Sequence, residues 1–191
     1  QDGASPIVVI DRESIDQMGA MSISDITRNL TANSGAENVP DSFTSGSAQG
    51  TSNVNLRGLG LGSTLVLVNG RRNTLAGTTA NDGSSFVDTS MIPAIAVERV
   101  EVLKEGAASV YGSDAIAGVV NYITRSDYEG TEVGVFRQST TSDSQTDTQL
   151  SLLHGWSNES TNVVVAAQYM DRSNLGSSDR PELTQQANSG L

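Results

Sequence analysis

Residues 53–72 read NVNLRGLGLGSTLVLVNGRR. Glycines alternate with leucines, an apolar run comes next, and the run stops at Asn69-Gly70 before two arginines. A phosphate-binding loop needs its glycines between a strand and a helix, so that the helix N-terminus meets the anion. Gly58, Gly60 and Gly62 do not have the G-x-G-x-x-G spacing, and no G-K-[ST] stands after them. Instead the glycines lead into Thr64 to Val68, β-branched and leucine residues over strand length, and then into Asn-Gly, a tight-turn signal. The stretch reads as strand, glycine-rich bend, strand and turn. An enzyme built on a nucleotide loop is the least favoured reading of the stretch.

Upstream, residues 6–10 (PIVVI) form a short strand. Asp11 is an N-cap with Glu13 in the first turn, Ile15 and Met18 share a face, and Gly19 ends the helix. Ser22 and Asp25 have capping-box spacing, with Ile23, Ile26 and Leu30 as the apolar stripe. Residues 35–53 have no periodicity, and residues 73–85 (NTLAGTTANDGSS) are a second polar loop. The two loops bracket one hairpin, which predicts tips on one end of the domain. Downstream, Pro93 suits the first turn of a short helix. From Val97 to Lys104, Val100 and Val102 oppose Arg99, Glu101 and Leu103, and alternation places Glu98 on the face opposite Arg99. Residues 107–118 are small-residue helix or turn, and VVNYIT (119–124) is a strand. The count by residue 125 is four strands and three short helices, an α+β unit with a small mixed sheet.

A net charge of −11 over 191 residues argues against a nucleic-acid surface. Cysteine is absent, which suits an oxidising compartment but also many cytosolic proteins. No apolar stretch reaches the ~18 residues of a membrane helix. The start QDGASP has neither the basic region nor the apolar core of a signal peptide, so any export signal is expected to be removed or to lie elsewhere. Charged residues are 17% and aromatics 4%, a mix that favours polar strands and long loops.

The character changes after Gly130. Leu150, Leu152, His154 and Trp156 share one strand face, opposite Asp147, Gln149 and Ser151, with Leu153 off the pattern. In 161–171, Val163, Val165, Ala167 and Tyr169 share a face, and SNES (157–160) joins the two segments. Residues 131–138 form a further strand. Period-two segments of ~10 residues are long enough to cross a bilayer when tilted, with Trp156 and Tyr169 as girdle aromatics. A soluble β-sandwich edge with one wet face fits the same periodicity.

Four stretches occur in order: VVIDRESIDQMGAMSISDITRNL, VNLRGLGLGSTLVLVNGRR, IPAIAVERVEVLKEGAASVYGSDAIAGVVNYIT, and the YEG that leads into the alternating strands. Together they resemble the plug domain of TonB-dependent outer-membrane receptors over residues 6–130. The resemblance implies a plug domain at 1–130, followed at 131–191 by the first antiparallel strands of a transmembrane β-barrel of about 22 strands with a plugged lumen. It implies a receptor that takes up a nutrient across the cell outer membrane, with TonB, energised by ExbB and ExbD, gripping an upstream segment by β-strand addition. QDGASP holds no convincing TonB box. At most three strands fit after residue 131, too few to close, so the chain is expected to be part of a longer protein. A soluble extracytoplasmic binding or adhesion module that reuses the plug fold is the rival reading.

By the resemblance, Arg57 of the LRG motif and Glu98, Arg99 and Glu101 of ERVEV are expected to latch plug to barrel. A solvated Arg57 and cross-strand pairing within the plug are the plainer readings. Gly58, Gly70, Gly106, Gly112 and Gly118 are expected to be structural, Tyr111 to pack under the sheet, and Asn121 to bond a neighbouring loop backbone. Asn38, Asp41, Ser42, Phe43, Gln49, Asn73, Thr78, Asn81 and Asp82 are expected on ligand-facing loops. The ligand stays open among small molecules, oligosaccharides and peptides; outer-membrane lipid is the other contact. His154 is the only histidine and has no cysteine or second histidine for a metal site. No cofactor, metal or catalytic group is expected, and the protein reads as no enzyme.

Overall fold

The computed structural model describes residues 7–35, 50–104, 107–139 and 145–173. The first sheet contains β1 (Ile7–Asp11), β2 (Thr64–Val68), β3 (Arg71–Arg72), β4 (Val97–Leu103) and β5 (Gly118–Thr124) in the order β1-β4-β5-β2-β3. Only β2 and β5 are parallel; the other pairs are antiparallel. The sequence reading had all of these strands except the two-residue β3, and it placed one more before the glycine-rich bend, where the structure has only the isolated Asn33–Leu56 bridge. Three short α-helices accompany the sheet: α1 (Arg12–Gln17), α2 (Ile23–Arg28) and α3 (Ala108–Tyr111).

Local chemistry sets the helix starts. The Asp11 carboxylate accepts from the Ser14 N–H at 2.9 Å, which holds its carboxyl below the usual range, with the Ser14 hydroxyl as the larger cause. Ser22 and Asp25 close a capping box. One sheet face packs Val66, Val100, Val102, Val120 and Tyr122 against Ile15, Ile23 and Ile26 of the helices and Leu30 just past α2. The other face packs Leu65, Leu67 and Val119 against Ala107 and Ala115. β2 and β5 are thus covered on both sides, which explains their continuous apolar character.

The β2–β3 turn has positive φ at both Asn69 and Gly70, as a type I′ turn requires. At Gly118 φ is +134°, and a Cβ would stand 2.5 Å from the Leu103 carbonyl oxygen and 2.8 Å from Leu56 Cδ1. Only glycine lets β5 start that close to β4. Residues 73–85 are more ordered than a polar loop implies. Ala80 and Phe86 bury against Leu61 as a small core, and the Ala80 and Ser84 backbones bond across a turn.

The second sheet is a meander of β6 (Gly130–Ser139), β7 (Thr146–Asn158) and β8 (Thr161–Arg172). Its register places Val133 and Val135 opposite Leu152 and Leu150, and Leu150, Leu152 and Trp156 opposite Tyr169, Ala167 and Val163. Leu153 completes the other face with Gln149, Ser151 and Gly155: it is fully buried, whereas Leu152 is 41% exposed. Among the described residues no helix is long and apolar enough to cross a membrane, a statement that does not bear on strands.

Candidate functional site

The buried face of β7 meets the first sheet's domain along a seam. Arg125, one residue past β5, sits at its centre. Its N–H donates to the Ala96 carbonyl at 2.9 Å. Its guanidinium donates to the Glu132 carboxylate on β6 at 2.6 Å, lies 3.9 Å from the Glu98 carboxylate on β4, and stacks over the Tyr128 ring at 5.4 Å. The Arg125 side chain is only 10% exposed, against 43% for Glu132 and 49% for Glu98. One nearly buried cation therefore bonds both sheets. Removing it would strand two carboxylates, a cost that their exposure keeps below the ~3–5 kcal/mol of a fully buried pair.

Gln149 makes a second tie: its amide donates to the Met21 carbonyl between α1 and α2 at 2.8 Å. Gln149 is 7% exposed, and its Oε1 has no protein partner. Gly155 passes under Tyr128 so closely that any Cβ would run into the Tyr128 carbonyl. The 3-10 turn Ala94–Ala96 also meets β7. Two clefts flank these contacts. One, of about 500 Å³, is lined by Arg12, Glu98, Arg99, Arg125, Asp127 and Glu132, among others. The other, of about 250 Å³, lies between Met21, Ala94 and Gln149 and shares Arg12 and Glu132 with the first. Cations and carboxylates alternate along the seam, and among the described residues no group of His, Cys, Asp or Glu is arranged to hold a metal. This arrangement can clamp two surfaces together; it presents no nucleophile–base pair.

The residues singled out in the sequence fall in several places. The alternation argument put Glu98 opposite Arg99, and the structure corrects it. A register shift between Val97 and Arg99 makes Glu98 the extra residue of a bulge, and both side chains line the same cleft. Arg99 donates to Glu101 at 2.8 Å. Arg57 has φ of 59°, and its guanidinium holds the Ile116 and Ala117 carbonyls, each at 3.1 Å. Asn121 accepts from the Gly70 N–H at 2.9 Å and donates to Glu101 at 3.1 Å. Gly58 and Gly112 also have positive φ.

Tyr111 does not pack under the sheet. It is 37% exposed, and its carbonyl accepts from Arg72. The tyrosine inside the domain is Tyr122, fully buried, with its hydroxyl 3.1 Å from Thr27 Oγ1; burial pushes its pKa up to about 12. In the 73–85 loop, Asn73, Asn81 and Asp82 are exposed and Thr78 is half-buried. The Ser84 hydroxyl, then the Ser84 N–H, hold the Asp82 carboxyl below its usual range. Asn38, Asp41, Ser42, Phe43, Gln49 and Gly106 lie outside the described residues. His154 bonds Thr131 at 2.8 Å on the exposed face of the second sheet.

Sequence reasoning did not single out Arg12, Arg125, Glu132 or Gln149. It did register Leu153 as off-pattern, and that irregularity was the available signal of the seam.

The described strands and helices match solved outer-membrane receptors. The siderophore receptor PirA from Acinetobacter baumannii is 26% identical, with 86% of this chain and 24% of that chain covered and a TM-score of 0.62. PirA from Pseudomonas aeruginosa is 23% identical over 92% of this chain and 30% of that one, with a TM-score of 0.58. The ferric citrate transporter FecA in its unliganded form is 23% identical over 91% and 26%, with a TM-score of 0.69. The latter two likenesses show the fold: a small mixed sheet with short helices, followed by antiparallel strands. The chain spans about a quarter to a third of the length of these receptors. The family model described as TonB-dependent Receptor Plug Domain matches residues 1–119, well over half of the sequence, and the chain belongs to that family.

Proposed function

We propose that residues 1–130 are the plug of a TonB-dependent outer-membrane receptor, that residues 131–191 open its barrel wall, and that the plug gates ligand uptake. The observation that carries this is the polarity of the three-stranded sheet. Its outer face exposes Val133, Val135, Leu150, Leu152, Val163, Val165 and Tyr169 at 41–72%. Its inner face buries Gln149 and Leu153 toward the plug. Apart from the Thr131–His154 pair, that face is an apolar band, a liability in water and the expected lipid surface of a barrel. Trp156 and Tyr169 bracket it, about 20 Å apart along the strands at ~3.3 Å per residue. A soluble module would place polar side chains there.

The connections support an orientation. The two-residue turn between β7 and β8 shares an end with the plug–wall linker: Asn162 donates to Asp127 at 3.1 Å, and Ser157 bonds the Glu129 carboxylate. Outer-membrane barrels put their short turns in the periplasm. TonB, driven by ExbB and ExbD, would engage an upstream segment from that side. The Asn69-Gly70 turn bonds Thr124 and Asn121 near the linker, whereas Ser84 and Ser85 pack at Gly62, just before the other end of β2. The 73–85 loop therefore offers Asn73, Thr78, Asn81 and Asp82 to ligand from outside. Arg57, Glu98, Arg99 and Glu101 remain latch candidates toward the rest of the wall.

The test uses the full-length receptor with its upstream segment. Retention by the periplasmic domain of TonB is expected, together with TonB-dependent uptake of a siderophore, the ligand class named for PirA. A full-length receptor that TonB does not retain refutes the gating reading.

A further inference from the structure

We propose that Arg12 is a positioning residue that couples the first strand and helix of the plug to the turn on which the wall rests. The inference rests on the gating reading. Arg12 is the first residue of α1, directly after β1. Its Nη1 donates to the Ala94 carbonyl at 3.0 Å and to the Val97 carbonyl at 2.9 Å, far along the chain. Those carbonyls bracket the buried turn Ala94–Ala96, the turn that meets β7. The Arg125 N–H holds the carbonyl between them, that of Ala96, and the Arg125 side chain reaches Glu132 in the wall. This short buried turn is thus held by Arg12 on one side and on the other by the backbone N–H of Arg125, whose side chain pairs with Glu132 in the wall.

The geometry of Arg12 is fixed. Its Nε donates to Asp16 at 2.9 Å, and its Nη2 bonds the same carboxylate. A planar fork can face a carboxylate with one edge and two carbonyls with another; an ammonium cannot do both. Arg12 also lines both clefts along the seam.

β1 is an edge strand with β4 as its sheet neighbour, and its Ile7, Val8 and Val9 are 38–58% exposed. An edge strand joined by one ladder is the part of a sheet that opens most readily. When β1 and α1 leave, Arg12 leaves with them. The Ala94 and Val97 carbonyls then lose their charged donor, and the turn beneath β7 loosens. Displacement at the plug's first strand is in this way passed to the seam.

Hydrogen exchange on the full-length receptor in lipid nanodiscs tests this without TonB. Arg12→Ala is expected to raise exchange about tenfold at the Ala96, Val97 and Arg125 amides, with β2 and β5 unchanged. Arg12→Lys is expected to restore less than half of the protection. Unchanged exchange at those three amides overturns the coupling, as does an equal rise across β2 and β5 or full rescue by lysine. If TonB does not bind the receptor, the gating reading falls by that result, while the exchange pattern still decides whether Arg12 holds the turn.

Discussion

Leu153 and Leu152 are neighbours on β7 with opposite environments: the first is fully buried on the plug side, the second 41% exposed on the outer side. Truncating each to alanine removes the same atoms from two different contacts. For a fully buried leucine the lost transfer energy and the residual cavity together cost about 2–5 kcal/mol. With Leu153 at the seam, that cost falls on the seating of the plug. A loss of about 3 kcal/mol at ~1.4 kcal/mol per tenfold raises the unseated population roughly a hundredfold. Leu152→Ala changes only the outward face and leaves the seat intact. Conductance of the full-length receptor in planar bilayers reads the difference: Leu153→Ala should show frequent openings, Leu152→Ala wild-type closure. Exchange at the Ala94–Ala96 amides should rise in the first variant only. Indistinguishable variants, or a leakier Leu152→Ala, would refute the assignment of inner and outer faces.

Gly118→Ala places a methyl against the Leu103 carbonyl at a φ of +134°; strain and overpacking together should cost about 2–5 kcal/mol, seen as faster proteolysis within the plug of the full-length receptor. Tyr122 titrates near 12 when folded and at 10.0 otherwise. A raised phenol pKa means the folded state keeps its proton, so this stabilisation is complete below pH 10 and is lost as the pH climbs through 12, about 3 kcal/mol in all. Denaturant titrations across that window should show the loss, and Tyr122→Phe should remove this part of the dependence. Arg125→Ala should loosen the seam by about 1–3 kcal/mol, discounted for the exposure of Glu98 and Glu132, with raised exchange at the start of β6 as the readout.

The fold was legible where its causes are local. Asp11 with Ser14, Ser22 with Asp25, and Asn69-Gly70 act within a few residues, so spacing alone announces them. Val100, Val102, Val120 and Tyr122 obey period two, and the burial of Tyr122 was available from its alternation with Val120. Tyr111 stands out instead because a family motif contains it, but a motif does not say which way a ring points. Glu98 was placed on the wrong face because strict alternation has no room for a bulge. The 73–85 loop read as structureless because its apolar anchors, Ala80 and Phe86, bury against Leu61 from before β2, beyond the reach of any window.

The seam was less legible for a chemical reason. Half of its bonds end on backbone carbonyls, those of Met21, Ala94, Ala96 and Val97, and a carbonyl carries no residue identity to recognise. Leu153 is the exception. Gln149, Ser151, Leu153 and Gly155 form one continuous face, and the alternation fails only at Leu153. A strand with water along one side would keep a polar residue there. β7 is apolar on both sides at that depth because Leu152 faces outward and Leu153 faces the domain that carries the Ala94–Ala96 turn. A break in period two at a single level, flanked on the same face by small residues such as Ser151 and Gly155, is what a wall strand shows when a second domain presses on it from within. The same criterion applied strand by strand along the rest of the wall should mark each level at which the plug is in contact.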